Sequence, residues 1–435
     1  MCCFWSKGLE VGQGDDDCAV KDFICNRLQQ MGVSKSTGTQ SGTKSSTQGV
    51  RSETVRRSNL SAILGMLRTA ASVTRSELVE ATGLTRSAVG SLIGELVEHG
   101  LVTEIGAQHD GHRGRPSAMA ELDGAGLAAL SFEIGVDGVA AAVVNLRGEV
   151  IDDARASRTR GPVPVEAKVD DLVTLANLLG YVDGAVGDRR IVGIGVAVAG
   201  TVTSDGQTVV MAPNLQWSDV QLADLVSARF GDGVAVTIGN DADVGALAEH
   251  RFGAGDGASN MIFVGGEIGI GGGIIVDGQR VHGRSGFAGE VGHMPVNPSG
   301  DVCGCGSIGC WETEVGERAL LRRAGLDEDG GNAAVQRLLL AAQQGDAMVL
   351  DAFAEHGGWM AIGLACLINV FDPEIVVMGG MFNDVWHHVE DVVTSDLART
   401  SFGGRARPGV VVAGRLGNSA RLIGAAELAF QPLLD

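Results

Sequence analysis

Residues 289–312 concentrate side chains that bind metal ions. They include one histidine and three cysteines, the cysteines in a C-x-C-x4-C pattern with glycines between them: His293, Cys303, Cys305 and Cys310. Three thiolates and one imidazole form a complete tetrahedral ligand set for zinc. Glycines allow the backbone to turn tightly around such an ion. Because the set leaves no coordination position for water or substrate, the pattern predicts a structural zinc ion.

A second group of polar residues follows predicted strands, where α/β proteins bind small ligands. Asn240 and Asp241 lie between a predicted strand at 234–238 and a predicted helix at 242–249. A carboxylate in this position can accept a hydrogen bond from a hydroxyl group and act on it as a general base. Asn and Asp also cap helices routinely, so the sequence leaves both roles open.

A glycine-dense segment, residues 265–273, lies between two further predicted strands. Its backbone N–H groups can contact phosphate or sugar oxygens, as in known anion-binding turns. Tight hairpins have the same composition, so this signal is weak by itself. Gly200 and Asn214 lie in other loops that follow strands, which makes them additional candidates for ligand contact.

These residues must be positioned by a segment that alternates strand and helix patterns from about residue 122 onward. The first set comprises strands at 127–133, 139–144, 149–156 and 191–199, with a helix at 165–179. The second set begins near residue 234 and includes strands at 261–264, 273–276 and 374–378, with long helices around 357–371. Two α/β halves of similar composition indicate a ligand cleft between two lobes.

Residues 56–121 have the pattern of a winged helix-turn-helix domain. Helical spacing of apolar residues predicts a first helix that buries Leu60, Ile63, Leu64 and Leu67. A capping box, Thr74 with Glu77, opens a second helix, and Thr85 caps a third helix that stops at Gly100. Strands at 101–105 and 118–122 flank the sequence Arg-Gly-Arg-Pro at 113–116, the predicted wing tip.

The order of helices and basic wing predicts DNA binding. The third helix begins with outward polar groups that can contact phosphates and a base edge in the major groove: Thr85, Arg86, Ser87 and Ser91. Arg113 and Arg115 of the wing fit a narrow A·T-rich minor groove. The alternative is a three-helix interaction module whose arginines are merely solvated.

Composition supports two or three domains of α/β type. The 435 residues include 66 glycines and carry a formal net charge of −20, which repels nucleic acid on average. Residues 51–121 differ, because their eight arginines balance eight Asp and Glu residues. A neutral segment within an acidic protein is where an acidic partner can dock.

Cysteine usage predicts a reducing compartment. Three of the eight cysteines belong to the metal cluster, Cys366 lies in an apolar helical run, and four lie near the N-terminus. Residues 1–55 are expected to be a disordered tail, in which lipidation or redox chemistry at Cys2 and Cys3 is the less favoured alternative. No apolar run reaches the ~18 residues of a membrane span and no signal peptide is evident, so the predicted location is the cytoplasm.

The glycine segment, the sequence Gly-Glu-Val-Gly-His at 289–293 and the pattern C-x-C-G-x2-G-C-x-E together resemble the ROK family of sugar-responsive repressors and sugar kinases. The resemblance extends from about residue 122 to the C-terminus, including Asn240, Asp241 and residues 417–426. It implies an α/β actin-like/hexokinase-type two-lobed domain, preceded by an all-α winged helix-turn-helix domain. The first lobe would contain residues 122–239 and the C-terminal helix, and the second lobe residues 240–419.

The resemblance also implies roles for individual residues. In ROK proteins a histidine and three cysteines bind a structural zinc, which implies that role for His293, Cys303, Cys305 and Cys310. The family's sugar contacts correspond here to Gly200, Asn214, Asn240, Asp241, Glu290, His293 and Glu312. In the family's kinases the aspartate of the Asn-Asp pair deprotonates a sugar hydroxyl, so Asp241 is expected to be a vestigial base.

One departure from the family pattern bears on catalysis. ROK kinases begin their domain with Asp-x-Gly-Gly-Thr-Lys, whereas residues 133–138 here read Glu-Ile-Gly-Val-Asp-Gly. Val136 obstructs close approach of a phosphate to the backbone. The carboxylate of Asp137 near phosphate charges costs on the order of a few kcal/mol. We therefore expect that the chain is not an enzyme and that ATP binding is lost or badly weakened.

The favoured interpretation is a transcriptional repressor of carbohydrate metabolism genes that binds double-stranded operator DNA as a homodimer or homotetramer. A monosaccharide or sugar phosphate in the cleft would change the lobe angle and the spacing of two DNA-binding heads. One alternative is an active ATP-dependent sugar kinase that also carries a DNA-binding domain. Another is a scaffold in which zinc holds the fold and the cleft stays empty.

Overall fold

The computed structural model describes residues 52–70, 72–106, 118–231 and 233–434. Cys2, Cys3, most of the predicted tail and the wing arginines Arg113 and Arg115 lie outside these residues. The described part comprises an N-terminal head, defined here as residues 52–122, and two α/β lobes. Within it, no helix is both long and apolar enough to traverse a bilayer.

The head consists of three helices and a small antiparallel sheet. The helices are α1 (Ser52–Thr69), α2 (Arg75–Thr82) and α3 (Arg86–Glu98). The strands are β1 (Val73–Thr74), β2 (Val102–Ile105) and β3 (Met119–Leu122), in the order β1-β3-β2. The two predicted wing strands are therefore confirmed, and β1 adds a third strand, so "all-α" describes only the helical part of the domain.

Local signals in the sequence explain where the head helices begin. The side chain of Thr74 accepts a hydrogen bond from Glu77 N, and the Glu77 side chain accepts one from Thr74 N, which confirms the capping box. Thr85 caps α3 by accepting from Ala88 N. The apolar face predicted for α1 is confirmed, because its four predicted core residues are all buried.

The first lobe contains a seven-stranded mixed sheet. Its strands are β4 (Leu127–Ile134), β5 (Gly138–Asn145), β6 (Val150–Ser157), β7 (Tyr181–Val182), β8 (Ala185–Val186), β9 (Arg189–Val198) and β13 (Val236–Asn240). The order is β6-β5-β4-β9-β8-β7, with β13 also paired to β9. Helices α4 (Val165–Leu178) and α5 (Leu222–Phe230) pack on it, and a separate small sheet joins β10 (Thr201–Val202), β11 (Val209–Ala212) and β12 (Trp217–Val220).

The second lobe contains a five-stranded sheet in the order β16-β15-β14-β17-β18. The strands are β14 (Met261–Gly266), β15 (Ile270–Val276), β16 (Gln279–Arg280), β17 (Ile375–Gly380) and β18 (Val411–Ala413). The helices preceding and following them are α6 (Asp241–Phe252), α7 (Trp311–Val315), α8 (Glu317–Arg323), α9 (Gly331–Gln343), α10 (Ala347–Phe371), α11 (Met381–Thr400) and α12 (Phe402–Ala406). The C-terminal helix α13 (Ala420–Leu434) packs on strands β4 and β9 of the first lobe.

Helices α6 and α13 pack against each other between the two sheets. A Cβ atom on Gly424 of α13 would lie 1.8 Å from the carbonyl oxygen of Val244 in α6. A Cβ atom on Gly195 of β9 would lie 1.8 Å from the carbonyl oxygen of Ala425. Only glycine permits these distances, so α13 is held tightly against both the first sheet and α6.

The head shares a hydrophobic core with the first lobe. One cluster of buried residues joins Leu64 and Leu67 of α1 with Ala129 of β4 and with Leu422 and Phe430 of α13. Burial of apolar area at ~25 cal/mol per Å² favours this packing. The head is therefore packed on the lobe through α13.

Two expectations about local structure need correction. Strand β13 ends at Asn240, two residues beyond the predicted strand, because Asn240 still pairs with Val198 of β9. The glycine-dense segment is mainly strand, and only residues 267–269 form the turn between β14 and β15. Its strand glycines allow α6 to approach: a Cβ on Gly273 would lie 2.4 Å from the Ala246 side chain.

Candidate functional site

A cavity of about 740 Å³ lies between the two lobes. All the residues predicted to contact a sugar line it: Gly200, Asn214, Asn240, Asp241, Glu290, His293 and Glu312. They come from the loops after β9 and β11, the start of α6, the short helical turn Val291–His293 and the start of α7. The structure thus brings these residues together, while their role in sugar binding stays a prediction.

The sequence left open whether Asn240 and Asp241 cap a helix or contact a ligand. In the structure, Asn240 caps the helix and Asp241 faces the cavity. Asn240 is the helix cap, since its Oδ1 accepts from the backbone N of Ala242 at 2.9 Å and of Asp243 at 3.1 Å. Its Nδ2 donates to Gly200 O at 3.0 Å, which fixes the neighbouring loop. Asp241 begins the helix and lines the cavity.

The carboxyl group of Asp241 has an unusual environment. Burial raises its pKa to about 7, an effect that Arg421 opposes and Glu267 reinforces. A carboxyl group that titrates near neutral pH can take a proton from a hydroxyl group or donate one. The site therefore has the electrostatics of a general base.

Arg421 is a cavity residue that the sequence did not reveal as a site residue. Its Nε lies 3.0 Å from Glu133 Oε1, and its Nη1 forms an ion pair with Glu267. Burial raises the pKa of Glu133, while Arg421 opposes that rise. Arg421 thus connects the end of β4 in the first lobe with the turn after β14 in the second. The only signal for it was a charged residue at the start of an apolar helix.

The predicted metal ligands converge as expected. One donor atom from each of His293, Cys303, Cys305 and Cys310 lies within 4.8 Å of the others. The Sγ atoms of Cys305 and Cys310 are 3.7 Å apart, and Cys303 Sγ lies 3.5 Å from His293 Nδ1. Tetrahedral zinc with bonds of about 2.3 Å separates two thiolates by about 3.8 Å, so the donor set fits this ion.

The thiols of the cluster have different environments. Backbone and side-chain hydrogen bonds from Ser307 lower the pKa of Cys305 to about 6, which favours the thiolate. Burial raises the pKa of Cys303, whose thiol donates to Glu312 Oε1 at 2.8 Å. A predicted metal ligand and a cavity carboxylate are therefore in direct contact.

The metal cluster and the cavity share His293. While its Nδ1 faces Cys303, its Nε2 lies 3.9 Å from Glu290 Oε2. Glu290 also accepts a hydrogen bond from Thr201 Oγ1 at 3.2 Å. The ring thus has one nitrogen at the metal cluster and the other at the cavity wall. Thr201, which follows Gly200 in the same predicted candidate loop, also lines the cavity.

Charged side chains from neighbouring segments bind the turn between β4 and β5. Lys168 of α4 is buried and donates to Gly135 O at 2.8 Å and to Gly138 O at 3.2 Å. The carboxylate of Asp137 forms an ion pair with Arg160. A Cβ atom on Gly138 would lie 2.2 Å from the carbonyl oxygen of Ala156, so the two strands meet without room for a side chain. Val136 lines the cavity, while its obstruction of a phosphate stays a prediction.

The predicted DNA-contacting residues of α3 lie on one accessible surface. Thr85, Arg86, Ser87 and Ser91 are all exposed. Thr85 Oγ1 and Ser87 Oγ are 3.1 Å apart at the start of the helix. The remaining two, Arg113 and Arg115, lie outside the described residues.

Comparison with protein-family models decides the family. The ROK family model matches residues 129–431. The chain belongs to the ROK family. A MarR family model matches residues 61–113, which assigns the N-terminal part to the winged-helix class.

Individual ROK proteins resemble the chain over different lengths. A glucokinase from Streptomyces coelicolor is 35% identical over 70% of this chain and 98% of its own length. A xylose repressor from Bacillus subtilis is 28% identical over 88% of this chain and 97% of its own. A crystal structure of a ROK family transcriptional regulator, a homologue of the E. coli MLC protein, has a TM-score of 0.70 at 23% identity, over 87% of this chain and 97% of that one.

Proposed function

We propose that this ROK protein is a sugar-responsive transcriptional repressor of carbohydrate metabolism genes. The observation that carries the proposal is a winged-helix head packed on a two-lobed domain whose cavity unites the seven predicted sugar contacts. The xylose repressor is similar over 88% of this chain, which is more than the two lobes contain. The glucokinase is similar over 70%, which is about the length of the two lobes.

The cavity is suited to a monosaccharide or a sugar phosphate. Among the residues that line it, the following can form hydrogen bonds with hydroxyl groups: Asp241, Glu290, Glu312 and Asn214. Buried hydrogen-bonding groups discriminate strongly among hydroxylated ligands, because a ligand that lacks a hydroxyl leaves them unpaired.

A structural zinc at His293, Cys303, Cys305 and Cys310 would support this site. When bound, the ion would fix the loop and add no open position for chemistry. As a thiolate ligand, Cys303 no longer donates to Glu312, and this carboxylate then accepts from a sugar hydroxyl. Zinc and sugar binding would therefore favour each other.

DNA binding is assigned to the head, acting in a homodimer or homotetramer on a double-stranded operator. Arg86 would contact a base edge, with Thr85, Ser87 and Ser91 on phosphates. In a gel-shift assay at fixed salt with DNA from upstream of its own gene, wild-type protein should retard a fragment and D-glucose or D-xylose should change its affinity. Arg86→Gln should weaken binding by about 10- to 100-fold, as expected for loss of one bidentate base contact. Absence of any retarded fragment, with or without sugar, would refute the repressor.

An ATP-dependent sugar kinase is the second candidate, favoured by the position and raised pKa of Asp241. The turn at 133–138 opposes it, because Asp137 is negative and Val136 lines the cavity where phosphates would approach. A coupled assay of ADP release with D-glucose and D-xylose separates the two. If the protein is a repressor without kinase activity, the assay should show no sustained ADP release. Sustained ADP release with either sugar would favour the kinase.

A further inference from the structure

A buried ion-pair chain connects the head with the lobes. The guanidinium of Arg68 in α1 pairs with Oε1 of Glu427 in α13. The other carboxylate oxygen of Glu427 pairs with Arg251 in the last turn of α6. Arg68 and Glu427 are each 2% exposed at the side chain, whereas Arg251 is 28% exposed. One carboxylate therefore holds one cation from the head and one from the lobes.

Arg68, the residue of the head in this series of ion pairs, depends on Glu427 for its charge pairing. The Nε and Nη1 atoms of Arg68 are buried and have no hydrogen-bond partner among the described residues. The guanidinium lies 5.5 Å from the centre of the Phe430 ring, which adds a cation–π contact. Since a buried charge is stable only when it is paired, the position of α1 follows the position of Glu427.

The other end of the same two helices lies in the cavity. Helix α6 carries Asp241 at its first residue and Arg251 ten residues later, about 15 Å along the helix. Helix α13 carries Arg421 in the cavity and Glu427 beneath the head. The Gly424–Val244 contact packs the two helices without a side chain between them. A displacement at the cavity end must therefore move the Arg251–Glu427 end.

We propose that Glu427 is the positioning residue through which the cavity and the DNA-binding head act on each other, with Arg251 as its connection to α6. This inference rests on the proposed function, because the ligand is the sugar and the output is the head. A ligand that shifts α6 changes the distance from Arg251 to Glu427 and so biases the position of Arg68 and α1.

Hydrogen exchange of the full-length protein, with and without D-glucose or D-xylose, tests the connection. In wild-type protein, a sugar that slows exchange at the start of α6 should also change exchange in α1, by about tenfold for a coupling of usual size. Arg251→Gln keeps the buried Arg68–Glu427 pair and should fold. It should retain the α6 response while the α1 response falls below about twofold. Glu427→Gln keeps the side-chain shape but removes the charge that pairs with Arg68, so it should lose the α1 response and also speed α1 exchange without ligand.

Arg229→Gln is the matched control, because Arg229 is also a last-turn arginine that pairs with a neighbouring helix, at Asp170. It should respond like wild-type protein. A full α1 response in Arg251→Gln would overturn the proposal. If neither sugar changes exchange around the cavity, the proposed sugar site is wrong. The connection through Glu427 is then tested by comparing α1 exchange of the variants without ligand. Faster α1 exchange in Arg251→Gln than in Arg229→Gln supports it, and equal exchange overturns it.

Discussion

Asp241 combines three properties in one side chain. It begins α6, it lines the cavity, and its carboxyl group has a pKa raised to about 7 by burial. Ala242 N donates to its Oδ1 at 2.9 Å, which leaves Oδ2 as the acceptor available to a ligand. Its charge should therefore change within the physiological pH range, when the charge of an ordinary aspartate would be constant.

Sugar binding should depend on pH through Asp241. The ionised carboxylate accepts a hydroxyl hydrogen bond more strongly than the neutral acid does, so affinity for D-glucose or D-xylose should rise from pH 6 to pH 8 and then level off. Asp241→Asn should weaken binding at pH 8 by about 10- to 100-fold, as expected for loss of a hydrogen bond to a charged group, and should remove the pH dependence. Isothermal titration calorimetry at several pH values measures both effects.

Asp243 supplies the control for this experiment. Burial raises its pKa to about 6, although it does not line the cavity. Asp243→Asn should keep the rise in affinity between pH 6 and pH 8. If that variant loses the pH dependence while Asp241→Asn keeps it, the titrating group has been assigned to the wrong carboxylate.

Sequence reasoning identified residues whose partners lie nearby in the chain. The four metal-cluster residues lie within 18 positions of one another and carry a recognisable spacing, and the structure brings them together. Arg421 and Arg160 were missed because their partners, Glu133, Glu267 and Glu317, come from distant segments. No local pattern marks such pairs, which exist only after the lobes have packed.

The loop at 293–312 is ordered by short-range contacts of its own. Isolated bridges join Pro295 with Cys310 and Val302 with Ile308. The loop packs closely, since a Cβ on Gly309 would lie 1.5 Å from Asn297 O. Its position determines where His293 and Glu312 stand in the cavity, so its stability and the shape of the cavity are linked.

Removal of one thiol should affect metal and sugar together. Cys305→Ser should lower zinc content from about one ion per chain to near zero and weaken sugar binding about tenfold or more, because the loop is no longer fixed. Metal analysis and calorimetry on the same preparation measure the two effects. Cys366→Ser is the control, since this exposed cysteine of α10 is not part of the cluster, and should change neither. Undiminished sugar binding in zinc-free Cys305→Ser would show that the two sites are independent.

Elements with strong periodicity were predicted well, and short ones were not. Helices α1 to α4 and strands β4 to β6 lie within a few residues of their predicted positions, because burial of one face imposes a pattern. The small sheet of β10, β11 and β12 was not predicted. Its strands have two to four residues, too few for a period, and their pairing depends on the surrounding lobe.

Arg160 connects the two lobes through an ion pair. This residue of the first lobe donates to both carboxylate oxygens of Glu317 in α8, at 2.7 Å and 3.0 Å. It also pairs with Asp137 in the turn between β4 and β5. Asp137 is one of the positions where the sequence departs from the kinase pattern. The ion pairs of Arg160 therefore connect this turn of the first lobe with α8 of the second lobe.

Removal of the Arg160–Glu317 ion pair should increase the distance between the two lobes. Arg160→Gln should shift the balance toward wider lobe separations by about 1–2 kcal/mol, a factor of 5–30, because the guanidinium is only partly exposed. Small-angle X-ray scattering at constant oligomeric state should show a larger radius of gyration. Arg158→Gln removes an exposed ion pair with Asp171 within the first lobe and should leave the radius unchanged. Identical radii for the two variants would contradict a role for Arg160 in setting the lobe separation.

Gly138 makes the proposed loss of catalysis difficult to undo. Kinases of the family carry lysine at this position, but any side chain here collides with the Ala156 carbonyl 2.2 Å away. Restoring glycine, threonine and lysine at positions 136–138 would therefore also require strands β5 and β6 to separate and the Asp137–Arg160 pair to be replaced. Under the proposed function, the backbone geometry at Gly138 opposes the return of the lysine that the family's kinases carry.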